Sequence, residues 1–103
     1  MKKEKIQIEY SANLMRGIEG VGGKLKITEK ELIFNPHSFN IQKKVLKIPI
    51  REIVSVRERN TMGIIPNGIG IETKSGVVYK FVTWKREDIM KLIYKIRNNE
   101  IGD

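Results

Sequence analysis

The chain has no cysteine. That removes disulfides, thiolate metal sites and cysteine nucleophiles from the range of chemistries open to it. A single histidine, His37, leaves no histidine cluster for a metal, which needs several ligands. Proline is scarce, with three in 103 residues, and there is no Pro/Ser-rich tract or internal repeat. No linker is therefore expected, and residues 1–103 read as one domain with its core between about positions 7 and 97. Long apolar runs are missing as well. Stretches such as Gly63-Ile64-Ile65 fall far short of a membrane-spanning helix. The opening MKKEKIQIEYSANLM has a charged head with no apolar segment behind it, unlike a signal peptide. The expectation is a cytoplasmic protein that can be peripheral at a membrane.

Acidic residues are in short supply. Twelve Asp/Glu stand against twenty Lys/Arg, a formal net charge of +8. Such a balance favours anionic lipid surfaces, nucleic acid or acidic proteins as partners. The excess is spread along the chain, so on charge alone the expectation is a solvated basic surface that aids solubility.

What the chain does have is short alternating runs bounded by glycine, proline and asparagine, the pattern of half-buried strands. Gln7 to Arg16 fits a first strand with Ile8, Tyr10, Ala12 and Leu14 on one face. Gly17 to Lys24, "GIEGVGGK", reads as the connection to a second strand. In Lys24 to Thr28, Leu25 and Ile27 point inward and the lysines and threonine outward. A turn at Glu29-Lys30 leads to a third strand with Leu32 and Phe34 inward, ended by Asn35-Pro36-His37-Ser38. Phe39 to Lys44 is expected to be a loop. A fourth strand, Val45 to Ile50, carries Leu46, Ile48 and Ile50 on one face, with Pro49 at an edge or bend. Ile53 to Arg59 is a fifth strand with Val54 and Val56 inward, and residues 60 to 68 read as a loop. Ile69, Ile71 and Thr73 line a sixth strand. A turn at Lys74-Ser75-Gly76 leads to a seventh, with Val77, Tyr79 and Phe81 in phase. At Thr83, a candidate helix cap, the period lengthens to about 3.6. Ile89, Leu92, Ile93 and Ile96 then form one apolar stripe, with Glu87 and Asp88 early and Lys91, Lys95 and Arg97 late, as the helix dipole favours.

The glycine stretch ends in lysine, as phosphate-binding loops do. A P-loop would need glycine at Ile18 and Ser/Thr at Leu25, and the next element is a strand, so that motif fails. The adjacent Glu87 and Asp88 do not share a helix face, the serines lack a nucleophile-elbow context, and Trp84 is expected to pack. No catalytic constellation, metal site or cofactor is expected.

The segments "GKLKITEKELIFNP", "KIPIREIVSV" and "IGIETKSGVVYKF", followed by a terminal helix, resemble the GRAM domain. The likeness rests on Gly23, Leu25, Ile27, Thr28, Leu32, Ile33, Phe34, Ile48, Pro49, Ile50, Ile53, Ile71, Thr73, Gly76 and Phe81. It spans about residues 11 to 97, and the chain is similar to small stand-alone bacterial GRAM-like proteins that share the "ANLMRGIEGVGGKL" opening. The resemblance implies an α+β, mainly β, pleckstrin-homology (PH)-like fold: a seven-stranded antiparallel barrel or orthogonal sandwich with one C-terminal helix. It also implies a non-enzymatic binding or adaptor module, eukaryotic members being linked to phosphoinositide or other lipid recognition. The matched positions are core and turn residues and carry no ligand site.

In a PH-like barrel the connections 1–2, 3–4 and 6–7 are expected to gather at one open end. That would make a basic rim of Arg16, Lys24, Lys43, Lys44 and Lys74, with Lys26 nearby, attracting an anionic membrane by about 1 kcal/mol per basic residue. Phe39 and Ile41 in the 3–4 loop and Met62, Ile64 and Ile65 in the 5–6 loop are expected to be buried as the loops fold back. Membrane or partner contact by Phe39, Ile64 and Ile65 is the functional alternative. The leading expected partner is an anionic lipid head group. The alternatives are another protein, through self-association or an added strand, and nonspecific nucleic acid. The last is disfavoured because Phe34, Tyr79 and Phe81 share inward parity and offer no stacking platform.

Overall fold

The computed structural model describes residues 7–37 and 44–98. Ser38, Phe39, Ile41 and Lys43 lie outside the described residues. Strands β1 (Gln7–Arg16), β2 (Glu19–Thr28), β3 (Glu31–Pro36) and β4 (Leu46–Pro49) are followed by a 3₁₀ turn, Ile50–Glu52. Then come β5 (Ile53–Thr61), β6 (Ile65–Thr73), β7 (Val78–Val82) and one helix, α1 (Arg86–Arg97). The strands form one sheet in the order β4-β3-β2-β1-β7-β6-β5, every neighbouring pair antiparallel. The expected element count, order and fold class are all present.

Burial explains the closure. Leu25, Ile27, Leu32 and Phe34 from one half of the sheet meet Ile69, Ile71 and Phe81 from the other, and Ile89 and Ile93 of α1 complete the core. The Phe34 and Phe81 rings meet at 5.8 Å with a 56° tilt, a geometry that suits the ring quadrupoles. Helix α1 also fastens the open edge of β5. The Tyr94 hydroxyl donates to the Val56 carbonyl (2.8 Å), and guanidinium groups of Arg97 and Arg86 donate to the carbonyls of Val54 and Arg59. Burial and the nearby Asp88 carboxylate push the Tyr10 hydroxyl upward from its ordinary pKa of 10.0, in keeping with α1 lying close to β1.

Several expectations are corrected. The glycine stretch is mostly strand. Arg16 pairs directly with Glu19, so the connection is only Gly17-Ile18, with Gly17 at φ +64° as a type II′ hairpin turn requires. Val21 and Gly23 extend the inward row of Leu25 and Ile27. Gly20 and Gly22 lie on the outer face, under the side chains of Met15, Asn13 and His37. Thr28 is buried, not outward. Its hydroxyl accepts the N–H groups of Lys30 and Glu31 (both 3.1 Å) and so builds the β2–β3 turn. In β5 the buried residues are Ile53 and Val56, and Val54 is exposed. Ile53 pairs with Thr73 and Ser55 with Glu72, so Val54 is the extra residue of a bulge and the parity shifts around it. Val77 precedes β7 and is exposed. The 60–68 loop shrinks to Met62-Gly63-Ile64, because Thr61 already pairs with Ile65.

Thr83 is not the helix cap, which is Lys85. Instead, its buried hydroxyl donates to the Ser11 carbonyl (3.0 Å) and accepts from the Lys85 N–H (3.1 Å), joining β1 to the start of α1. Thr83→Val keeps the shape and removes both bonds. We expect a loss of about 1–3 kcal/mol in urea unfolding with an unchanged m-value, and Thr83→Ser should recover most of it.

Candidate anion-binding face

The structure brings some of the basic residues picked out from sequence together and separates others. Lys24 and Lys26 stand on the outer face of β2. The Lys24 ammonium donates to the Ser11 hydroxyl (2.8 Å), and Lys26 is flanked in register by Glu9 and Ile33, with Lys47 beyond Ile33. Lys44 is exposed just before β4. Arg16 is remote from this group. It faces Glu19 at the hairpin tip, and Lys24 lies five residues further down β2, about 16 Å at about 3.3 Å per residue.

Lys74 does not join the rim. Its backbone N–H donates to the Glu52 carbonyl (2.8 Å), and the Ile50 N–H of the same 3₁₀ turn donates to the Lys30 carbonyl (2.9 Å). The β6–β7 turn therefore sits beside the β2–β3 turn. The cause is the short seam between β1 and β7, whose pairing consists of Asn13 with Val82 and Leu14 with Phe81. Past those pairs the strands diverge, and the beginning of β7 swings away from the Gly17 turn.

The same divergence opens a site that no single strand announces. Between β1 and β7 lies a cavity of about 260 Å³, lined in part by Met15, Gly17, Arg59, Gly68 and Lys80. Beside it, the outer face of β5-β6-β7 carries two cross-strand rows. Arg57 pairs with Gly70, which pairs with Lys80; Arg59 pairs with Gly68, which pairs with Val82. The glycines let Arg59 lie close over β6: a Cβ at Gly68 would stand 2.6 Å from the Arg59 carbonyl oxygen. A Cβ at Gly70 would lie 2.6 Å from Arg59 Nε, so the arginine side chain lies across that glycine. A second hollow of about 180 Å³ runs on past Arg57 and Arg59 to Ser55 and Glu72, where the Ser55 hydroxyl donates to Glu72 (3.2 Å).

Among the described residues the ion pair within 4.0 Å is Arg86–Glu58 (3.8 Å), so Arg57, Arg59 and Lys80 have no carboxylate partner that close. Three cations on one face can receive an oxyanion, the arginines by paired N–H donors and the lysine as a point charge. Among the described residues no group of three His, Cys, Asp or Glu could hold a metal ion, and no helix is long and apolar enough to cross a membrane. Sequence reasoning missed this face. The signals were Arg57-Glu58-Arg59 and Gly68-Ile69-Gly70, two alternating triplets whose outward members coincide only once the Val54 bulge has set the register.

The apolar candidates of the β5–β6 turn are not buried. Ile64 is exposed, Ile65 is at the border of exposure, and Trp84, expected to pack, is also exposed.

No curated protein sequence matches the chain. Among solved structures, the C-terminal domain of an unknown protein from Leishmania infantum superposes with a TM-score of 0.78 at 16% identity, over 91% of this chain and 84% of that one. The Slm1-PH domain in complex with phosphoserine superposes with a TM-score of 0.61 at 14% identity, over 91% of this chain and 92% of that domain. At such identities the likeness speaks for the fold, which is PH-like. The GRAM domain family model matches residues 1–101, a range that takes in all seven strands and the helix, and the chain belongs to the GRAM domain family.

Proposed function

We propose that the chain is a non-catalytic binding module that associates with anionic, phosphate-bearing membrane surfaces through the outer face of β5-β6-β7. GRAM and PH-like domains are generally non-catalytic modules, often involved in membrane or lipid association. The observation that carries the reading is the register that puts Arg57, Arg59 and Lys80 on one face around Gly68 and Gly70, with Arg59 and Lys80 lining an open cavity. The Slm1-PH domain in complex with phosphoserine supports a phosphate ester as ligand on this fold. Lys24, Lys26, Lys44 and Lys47 add a second, more dispersed basic surface, and Arg16 stands at the hairpin tip.

The competing reading, strand addition to a sheet edge, is weakened by the edges themselves. β5 has its edge carbonyls at Val54 and Val56 occupied by α1 side chains, and β4 is four residues long and ends in proline.

Sedimentation with vesicles of acidic and neutral phospholipid tests the proposal. The chain is expected to bind the acidic vesicles, more weakly at high salt. Arg57→Glu with Arg59→Glu is expected to reduce that binding about 30-fold or more, since two lost cations at about 1 kcal/mol each set the lower bound. Lys24→Glu with Lys26→Glu should have the smaller effect. The reverse ranking would move the site to the β2 face, and absence of binding would overturn the proposal.

A further inference from the structure

We infer that the apex formed by Ile18, Met62, Ile64 and Trp84 is the part of the molecule that enters the interfacial layer of an anionic bilayer. The inference rests on the membrane association proposed above and names the point of entry. These four apolar side chains are among the most exposed in the chain: Ile18 102%, Met62 88%, Ile64 79% and Trp84 79%. They come from three separate connections, β1–β2, β5–β6 and β7–α1.

The fold holds those connections at one end. Gly17 and Thr61 line the same cavity, which joins the first two turns. Pro66 and Trp84 line another hollow, and the Thr83 N–H donates to the Asn67 carbonyl (2.7 Å), which joins the second to the third. Arg86 locks the arrangement by donating to the Arg59 carbonyl and the Asn60 side chain (both 3.0 Å). Met62 sits at φ +53°, a region that glycine or asparagine occupies far more readily. Its side chain is almost fully exposed, so packing does not account for a methionine there.

The shape and chemistry of the apex select the occupant. Separately projecting side chains suit a fluid interface, whereas a protein partner is better served by a flat or grooved patch. An indole has an apolar body and a polar N–H, the combination favoured at head-group depth. Arg16, Arg59, Lys80 and Lys85 border the apex, against Glu19, Glu87 and Asp88, with Arg86 and Glu58 paired. The local excess is small. The net charge of +8 and the adjoining Arg57/Arg59/Lys80 face supply the attraction, and the apex supplies apolar anchorage.

Trp84 is the chain's sole tryptophan, so the unmodified protein reports on its own insertion. Titration with phosphatidylcholine vesicles containing 30% phosphatidylserine is expected to shift its emission to the blue. Bromines placed high on the acyl chains should quench it. Ile64→Glu is expected to weaken vesicle binding at least tenfold and abolish the shift, whereas Val77→Glu, an exposed valine outside the apex, should leave both unchanged. Binding without a shift or quenching would overturn the inference and leave the proposed function standing. No binding at all would overturn both. A blue shift that grows with protein concentration in the absence of lipid would overturn the inference in favour of a second copy covering the apex.

Discussion

Replacing Gly23 with alanine is expected to destabilise the domain by about 3 kcal/mol, the upper part of the usual range for overpacking a filled core. The reason lies in what a Cβ would meet. It would collide with the Asn35 carbonyl oxygen and stand 2.9 Å from both the Pro36 Cα and the tip of the Phe34 ring. Two of these three neighbours are backbone of β3, paired in register with β2, and the third is a buried core ring. None can move away without breaking the ladder or the core. Gly22→Ala is the informative contrast. Its Cβ would meet only the side chains of Asn13 (3.1 Å) and His37 (3.4 Å) on the outer face, which can shift by a few tenths of an ångström. We expect it to lose less than about 1 kcal/mol, in line with ordinary surface substitutions away from such constraints. Chemical unfolding of the two variants in parallel checks the difference. Equal losses would mean that β2 is not packed against β3 as described.

That contrast also shows where sequence legibility ended. Alternation of apolar and polar residues placed Leu25, Ile27, Leu32, Phe34, Ile69, Ile71 and Phe81 inward, and all seven are buried. A period of two survives in a linear sequence because it is local. The glycine stretch defeated the same method because glycine has no side chain to reveal parity. Gly23 belongs to the inward row, yet only its contact with Phe34, eleven residues on, shows it. Val54 misled for a related reason. A bulge is a relation between two strands, and nothing within Ile53-Val54-Ser55-Val56 marks which residue is the extra one. Thr28 and Thr83 read as polar and outward or capping, while their hydroxyls satisfy backbone groups brought close by turns and, for Thr83, by β1, 72 residues away in sequence.

The basic residues were the hardest to place. Arg16 and Lys24 look like the two shoulders of one loop, but once that loop is a two-residue turn they are five positions apart along a strand. Topology alone puts Lys74 at one end of the barrel with the rim, because it says which turns share a side but not how far strands splay. Arg57, Arg59, Gly68, Gly70 and Lys80 come from three strands and coincide only through register. A candidate site of this kind is a property of the sheet, and it becomes visible only when the sheet is assembled.

Phe81→Ala is expected to have the largest effect of any single truncation, about 3–5 kcal/mol, the range for deleting a buried aromatic side chain. Three features concentrate the loss at this position. The ring is 1% exposed and lies against Phe34 at 5.8 Å, so its removal leaves a cavity and an unpartnered aromatic face. Its backbone pairs with both Leu14 and Ile69, which makes it one of the two β7 residues that join the halves of the sheet. Because that seam is so short, loosened packing there has little ladder to resist it. Domains of this size are stable by about 5–15 kcal/mol, so the variant should retain little margin at 25 °C. Phe81→Leu, which refills part of the volume, should recover more than half of the loss. The two thermal or urea midpoints, measured against the parent chain, decide the matter. A loss below about 2 kcal/mol for Phe81→Ala would show that the seam is held chiefly by Thr83 and α1 instead of by the aromatic core.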